Sequence, residues 1–258
     1  MKIKYIQISL LTSVVLYGHS VQANKIPEEL RDFNHRTYNA LPLSGEADLE
    51  LKKNGNLNKF LEDVAPVVEK YDFGHSIGFR LLHRHETLEE GQVMVENFDH
   101  WKGVPALITT LENKDTPKIY PASWSCGSSG LTVFEYSKDS RAKKVAKKLG
   151  ANPAFLGEIK DLLIENKLEH ILAPAILTRE NFVHFNATQP LYELIRPAPY
   201  ASILVNKSLE EIRAVSEAGG NLVRTTWPVG NNNKYEVLCV THCSTSEDDY
   251  RFHEYEHD

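Results

Sequence analysis

The stretch GFRLLHRHETLEEGQVMVE, residues Gly78–Glu96, reads as a strand, a turn and a second strand. Side chains two apart on a strand share a face. His75, Ile77, Phe79, Leu81, His83 and His85 therefore align on one side, and Arg80, Leu82 and Arg84 on the other. Gly91 marks the turn before QVMVEN. Working outward, VPALITTLE, KIYPASW and LTVFEYS follow in quick succession, and HILAPAIL, FVHFNA, LYELIR and ASILVN come later. Each is short, rich in β-branched or aromatic residues, and bounded by turn formers.

Helical spacing appears between these groups. Phe60, Leu61, Val64, Val67, Val68 and Tyr71 recur at the period of a helix over about residues 58–71. Ser140 and Gly150 bracket SRAKKVAKKLG. Asn152 and Pro153 open NPAFLGEIKDLLIENK. SLEEIRAVSEAGG reads as a helix, with a strand as the alternative, and LVRTTW and KYEVLCVTH form a closing hairpin. Strands in groups with inserted helices predict an α+β fold, a mostly antiparallel sheet in a single domain spanning 56–243.

The ends of the chain read differently. Lys2 and Lys4 precede an uncharged, mostly apolar run from Tyr5 to Gly18, and Val21–Ala23 offers small residues for cleavage. This is the pattern of a signal peptide, here residues 1–23, too short to span a bilayer. Residues 24–55 read as a polar arm and 244–258 as an acidic, His-containing tail. Export implies a secreted or periplasmic protein with no membrane contact after cleavage. Removing Lys2 and Lys4 takes the net charge from −6 to −8, which argues against nucleic acid as a partner. A small-molecule or protein partner remains open. The lysines of SRAKKVAKKLG read as a solvated face, with an anionic partner as the alternative.

Three cysteines, Cys126, Cys239 and Cys243, are too few for a disulfide scaffold, so a core must carry the fold. The spacing Cys239-x3-Cys243-x9-His253-x3-His257 approaches that of a tetrahedral zinc site, and His253–His257 matches His-Glu-x-x-His as a string. His83 and His85 are two imidazoles able to converge on one metal. The expected ligand set for a zinc-like divalent transition metal is therefore His83, His85, Cys239, Cys243, His253 and His257, with Glu86 or Glu89 as bases if a position stays open. Such a centre would suit a metal-dependent hydrolase or oxygenase. The contrasting expectation is a secreted, non-catalytic interaction module without metal.

Gly78, His83, His85 and Glu89 together resemble the first motif of the cupin barrels, which has His-x-His, a following Glu and flanking glycines. Glu96 stands where the later glycine would be, and PVGNNNK supplies Pro228 and Gly230 of a second motif without its histidine. The same segment, with PASW and FEYS after it, is also similar to an uncharacterised, mainly fungal family with no assigned chemistry.

Overall fold

The computed structural model describes residue 26 and residues 30–74, 76–127, 130–177, 191–197, 200–217, 221–229 and 237–241, the last of these by backbone alone. Three helices lead: α1 (His35–Asn39), α2 (Ser44–Asn54) and α3 (Leu57–Lys70). Five strands follow: β1 (Ile77–Leu81), β2 (Gln92–Trp101), β3 (Val104–Asn113), β4 (Tyr120–Gly127) and β5 (Gly130–Ser137). Then come α4 (Ser140–Gly150), α5 (Pro153–Glu165), β6 (Leu172–Ile176), β7 (Leu191–Pro197), β8 (Tyr200–Asn206), α6 (Leu209–Glu217), β9 (Asn221–Pro228) and β10 (Val237–Thr241). FVHFNA and the loop at 230–236 lie outside the described residues.

The strands close into one barrel in the order β1-β6-β4-β5-β2-β3-β8-β7-β10-β9, with β9 returning to β1. The sheet is mixed. Most neighbours run antiparallel, but β2 pairs β5 in parallel (Val95↔Tyr136, Glu96↔Ser137), and β10 pairs β7 in parallel. Tight turns force antiparallel neighbours only between consecutive strands. β5 meets β2 with two strands intervening, and β7 meets β10 across a helix, so their direction was not readable from turns. The β2–β3 turn is tight: Trp101 pairs with Val104, and Lys102 (φ 50°) and Gly103 (φ 80°) both take the left-handed backbone of a type I′ hairpin.

One face of the barrel wall carries the main core. Ile77, Phe79 and Leu81 of β1 join Phe60, Val64 and Val68 of α3 and Phe155, Ile159 and Leu163 of α5. Phe60 meets Phe79 edge-on at 4.7 Å, and Phe73 stacks on Phe155 at 4.4 Å. Residues 30–54, expected to belong to a polar arm, instead bury Leu30, Tyr38, Ala47 and Leu51. Sparse apolar residues conceal this in the sequence, because most of the segment is tied by backbone groups. Trp124 Nε1 donates to the Leu30 carbonyl at 2.9 Å, and the Val133 amide to that of Asp32 at 2.7 Å.

Arg80 lies between Phe79 and Leu81 and so faces the other way, into the barrel. It pairs with Glu135 of β5 and, at 3.4 Å, with Glu96 of β2. Those strands stand three and four places round the barrel from β1, so these contacts cross the interior. Ser123 also donates to Glu135, at 3.5 Å. Gly78 precedes Arg80 on the same row. A Cβ there would sit 2.6 Å from the Trp227 carbonyl oxygen and 2.2 Å from Leu177 Cδ1, so only glycine allows β1 to lie this close to β9.

Candidate metal centre

β1 ends at Leu81, and the chain then leaves the sheet. The Leu82 amide donates to the Ile171 carbonyl at 2.8 Å, and the Arg84 amide to that of Pro42 at 2.9 Å. Arg84 Nε adds a bond to the Leu41 carbonyl at 3.0 Å. The segment after α1 therefore holds the His83–His85 turn in place. Inside that turn His83 Nδ1 lies 2.8 Å from the Leu81 carbonyl oxygen. A carbonyl only accepts, so Nδ1 carries the proton and Nε2 presents its lone pair.

That lone pair points at His85, whose Nε2 is 3.0 Å from His83 Nε2, with the rings nearly perpendicular at 80°. His85 Nε2 is in turn 3.4 Å from Glu193 Oε1. β7 stands three places from β1 on the other side of the barrel, so Glu193 reaches this pair across the interior. The Ser202 hydroxyl of β8 donates to the same Glu193 oxygen. One ligating atom from each of His83, His85 and Glu193 lies within 4.8 Å of the others, the spacing of a group able to hold a metal ion.

The chemistry of these donors is set by burial. His83 is 6 % exposed, and its pKa is lowered to about 3, first by burial and then by the neighbouring His85 and Arg80 charges. It is thus neutral, the form a metal requires. Tyr38 of α1 closes the same region, stacked on Phe134 at 5.6 Å with its phenol beside the His85 backbone. Burial, with Glu135 and Glu193 nearby, keeps that phenol protonated far above the usual range for tyrosine. α1 is anchored by Asn39, which exchanges two 2.8 Å hydrogen bonds with the Leu88 backbone.

Of the residues expected as ligands, the structure brings His83 and His85 together. Cys239 lies on β10 with its backbone registered against Glu193 on one side and Val223 on the other. Cys243, His253 and His257 lie outside the described residues. The carboxylate of the group is Glu193, and Glu86 and Glu89, expected as bases rather than ligands, are not members of it. Glu86 Oε1 accepts from the Thr87 amide at 2.8 Å, and Glu89 is exposed. Glu193 went unnoticed in LYELIR, although an acid alternating with Leu191 and Ile195 on one strand face is a charge in an apolar row. Cys126 is a buried core residue whose thiol burial pushes up to about 12, which disfavours the thiolate. No family model, curated protein or solved structure matches this chain.

Proposed function

We propose that this is an exported metal protein whose centre is His83, His85 and Glu193. The observation that carries the reading is the convergence of two imidazole Nε2 atoms, 3.0 Å apart, and one carboxylate, 3.4 Å from the second of them, the histidines from the turn after β1 and the carboxylate from β7 across the barrel. Metal–ligand bonds of about 2.0–2.1 Å at tetrahedral angles separate neighbouring donors by about 3.3 Å, and at right angles by about 2.9 Å. Two His and one carboxylate leave a coordination position for water or substrate, the set found in zinc hydrolases and non-haem iron oxygenases. A bound divalent ion would supply an activated water or an electrophile for such chemistry. Within the chain, Leu81 fixes the His83 tautomer, Ser202 orients Glu193, and Tyr38 supplies a protonated donor beside them.

A second reading rests on the same 3.0 Å contact. Without metal, the single Nε2 proton of His85 bridges to His83, and the group is a buried hydrogen-bonded pair in a non-catalytic interaction protein. Elemental analysis of the exported protein, with melting curves in chelator and in zinc, separates the two. At a hundredfold excess over Kd, metal stabilises by about 2.7 kcal/mol, or roughly 5–10 °C for a domain of this size. The metal reading predicts that shift in the natural chain and its loss in His83→Ala/His85→Ala and in Glu193→Gln. Absence of stoichiometric metal, with no shift at millimolar zinc, iron or manganese, establishes the hydrogen-bonded pair instead.

A further inference from the structure

A cavity of about 1130 Å³ lies apart from the histidine centre, between the N-terminal segment, the β3–β4 connection and α4. Its wall carries Arg31, Lys114, Lys143 and Lys147, and its aromatic surface includes Tyr120 and Tyr136. Two carboxylates, Asp32 and Asp115, also line it, so the groove keeps an excess of positive charge on a chain whose net charge is −6. Among the described residues none of the four cations is in an ion pair, whereas neighbouring Lys138 and Lys148 are each paired with a carboxylate. Lys143 and Lys147 stand one helical turn apart on α4 and so point the same way. The Lys143 ammonium lies 5.3 Å from the centre of the Tyr120 ring.

From this we infer a binding site for a small, multiply charged phosphate or sulfate ester with a planar or sugar body. Lysine ammonium groups meet tetrahedral oxyanions as point charges without needing a planar fork. The volume lies slightly above the usual range of small-molecule sites, about 300–1,000 Å³. Four cations from three separate segments surround one space, which distinguishes the groove from the solvated outer face of α4, where Lys144 points away. Tyr120 and Tyr136 give the uncharged part of the ligand a surface to lie on.

Titration calorimetry on the full chain tests this, with ATP, tripolyphosphate and a trisulfated heparin disaccharide as probes. At least one binds stoichiometrically, weakens as salt is raised, and loses tenfold or more in affinity in Lys143→Ala/Lys147→Ala. Preference for ATP and tripolyphosphate identifies a phosphate site, and preference for the disaccharide a sulfate site. Both α4 positions accept alanine without strain, and an unchanged melting midpoint confirms that the variant is folded. Lys144→Ala changes affinity less than twofold. No binding of any probe at millimolar concentration overturns the inference, as does equal weakening by Lys144→Ala, which would mean a diffuse surface field. His83→Ala/His85→Ala leaves this binding intact, so its result is independent of the metal centre.

Discussion

Acidification singles out His83. Its folded pKa of about 3 lies below the ordinary 6.5, because burial and the adjacent His85 and Arg80 disfavour the charged ring. The unfolded chain therefore takes up a proton near pH 6.5 that the folded chain refuses. The stability this group contributes is complete above pH 6.5 and is lost as pH falls from 6.5 towards 3. At pH 5 the loss is about 2 kcal/mol, at 1.36 kcal/mol per pH unit over the interval below 6.5. For a domain of this length that lowers the melting midpoint by roughly 4–8 °C between pH 7.5 and pH 5. His83→Gln has no ring to protonate and keeps an amide donor for the Leu81 carbonyl, so its midpoint falls less by that amount. Melting both proteins in chelator across this interval gives the difference of slopes, whatever the variant's baseline. The Glu211 carboxyl, lowered to about 2 by Lys207 and the Ser208 amide, changes stability only below about pH 4.5 and cancels. Equal falls in the two proteins would refute a buried, neutral His83.

Other perturbations give equally direct readings. Gly78→Ala drives a Cβ against the Trp227 carbonyl oxygen, a backbone atom that cannot step aside, and should lower stability in urea by about 2–3 kcal/mol. Arg80→Met removes the guanidinium that Glu96 and Glu135 share in the barrel interior and should cost about 3–5 kcal/mol at neutral pH. Adding Glu96→Leu and Glu135→Leu to that variant should recover most of the loss, since the buried carboxylates that the guanidinium compensated are then gone too; urea unfolding of the single and triple variants checks it. Phe60→Ala, at a fully buried position against Phe79, should cost about 3–5 kcal/mol by the same assay.

The sequence made the strands and the longer helices legible through periodicity, and it did so best where one face is apolar. Phe60, Val64 and Val68 mark α3 plainly, and Ile77, Phe79 and Leu81 mark β1. Closure into a barrel was not legible, because β6 pairs β1 and β9 pairs β1 over separations that no turn signal spans. α2 escaped notice for a different reason: only Ser44, Ala47 and Leu51 are buried along it, too narrow a stripe to stand out among its charges. At the site, His83 and His85 were found by their spacing on an expected strand, which in the structure ends at Leu81 just before them. Glu193 comes from more than a hundred residues downstream, and only its misfit between Leu191 and Ile195 on one strand face could have flagged it.

The two polar groups in the barrel interior differ in a way that bears on function. In the first, the Arg80 guanidinium meets both the Glu96 and the Glu135 carboxylates, and such a set can hold opposite walls of a barrel together. His83, His85 and Glu193 do something else. The Leu81 carbonyl takes the one proton of His83, which turns its free nitrogen lone pair towards His85, and Glu193 turns an acceptor oxygen to the same nitrogen. One His85 N–H cannot serve both acceptors in full. A cation placed among these three atoms would meet both Nε2 atoms and the Glu193 oxygen that already accepts from Ser202, and the pairing of Arg80 close by would be left untouched. Glu193→Gln therefore separates the roles more sharply than any histidine change. It replaces an acceptor oxygen by a group that can still hydrogen-bond His85, so a purely structural triad should tolerate it while a metal centre loses affinity tenfold or more.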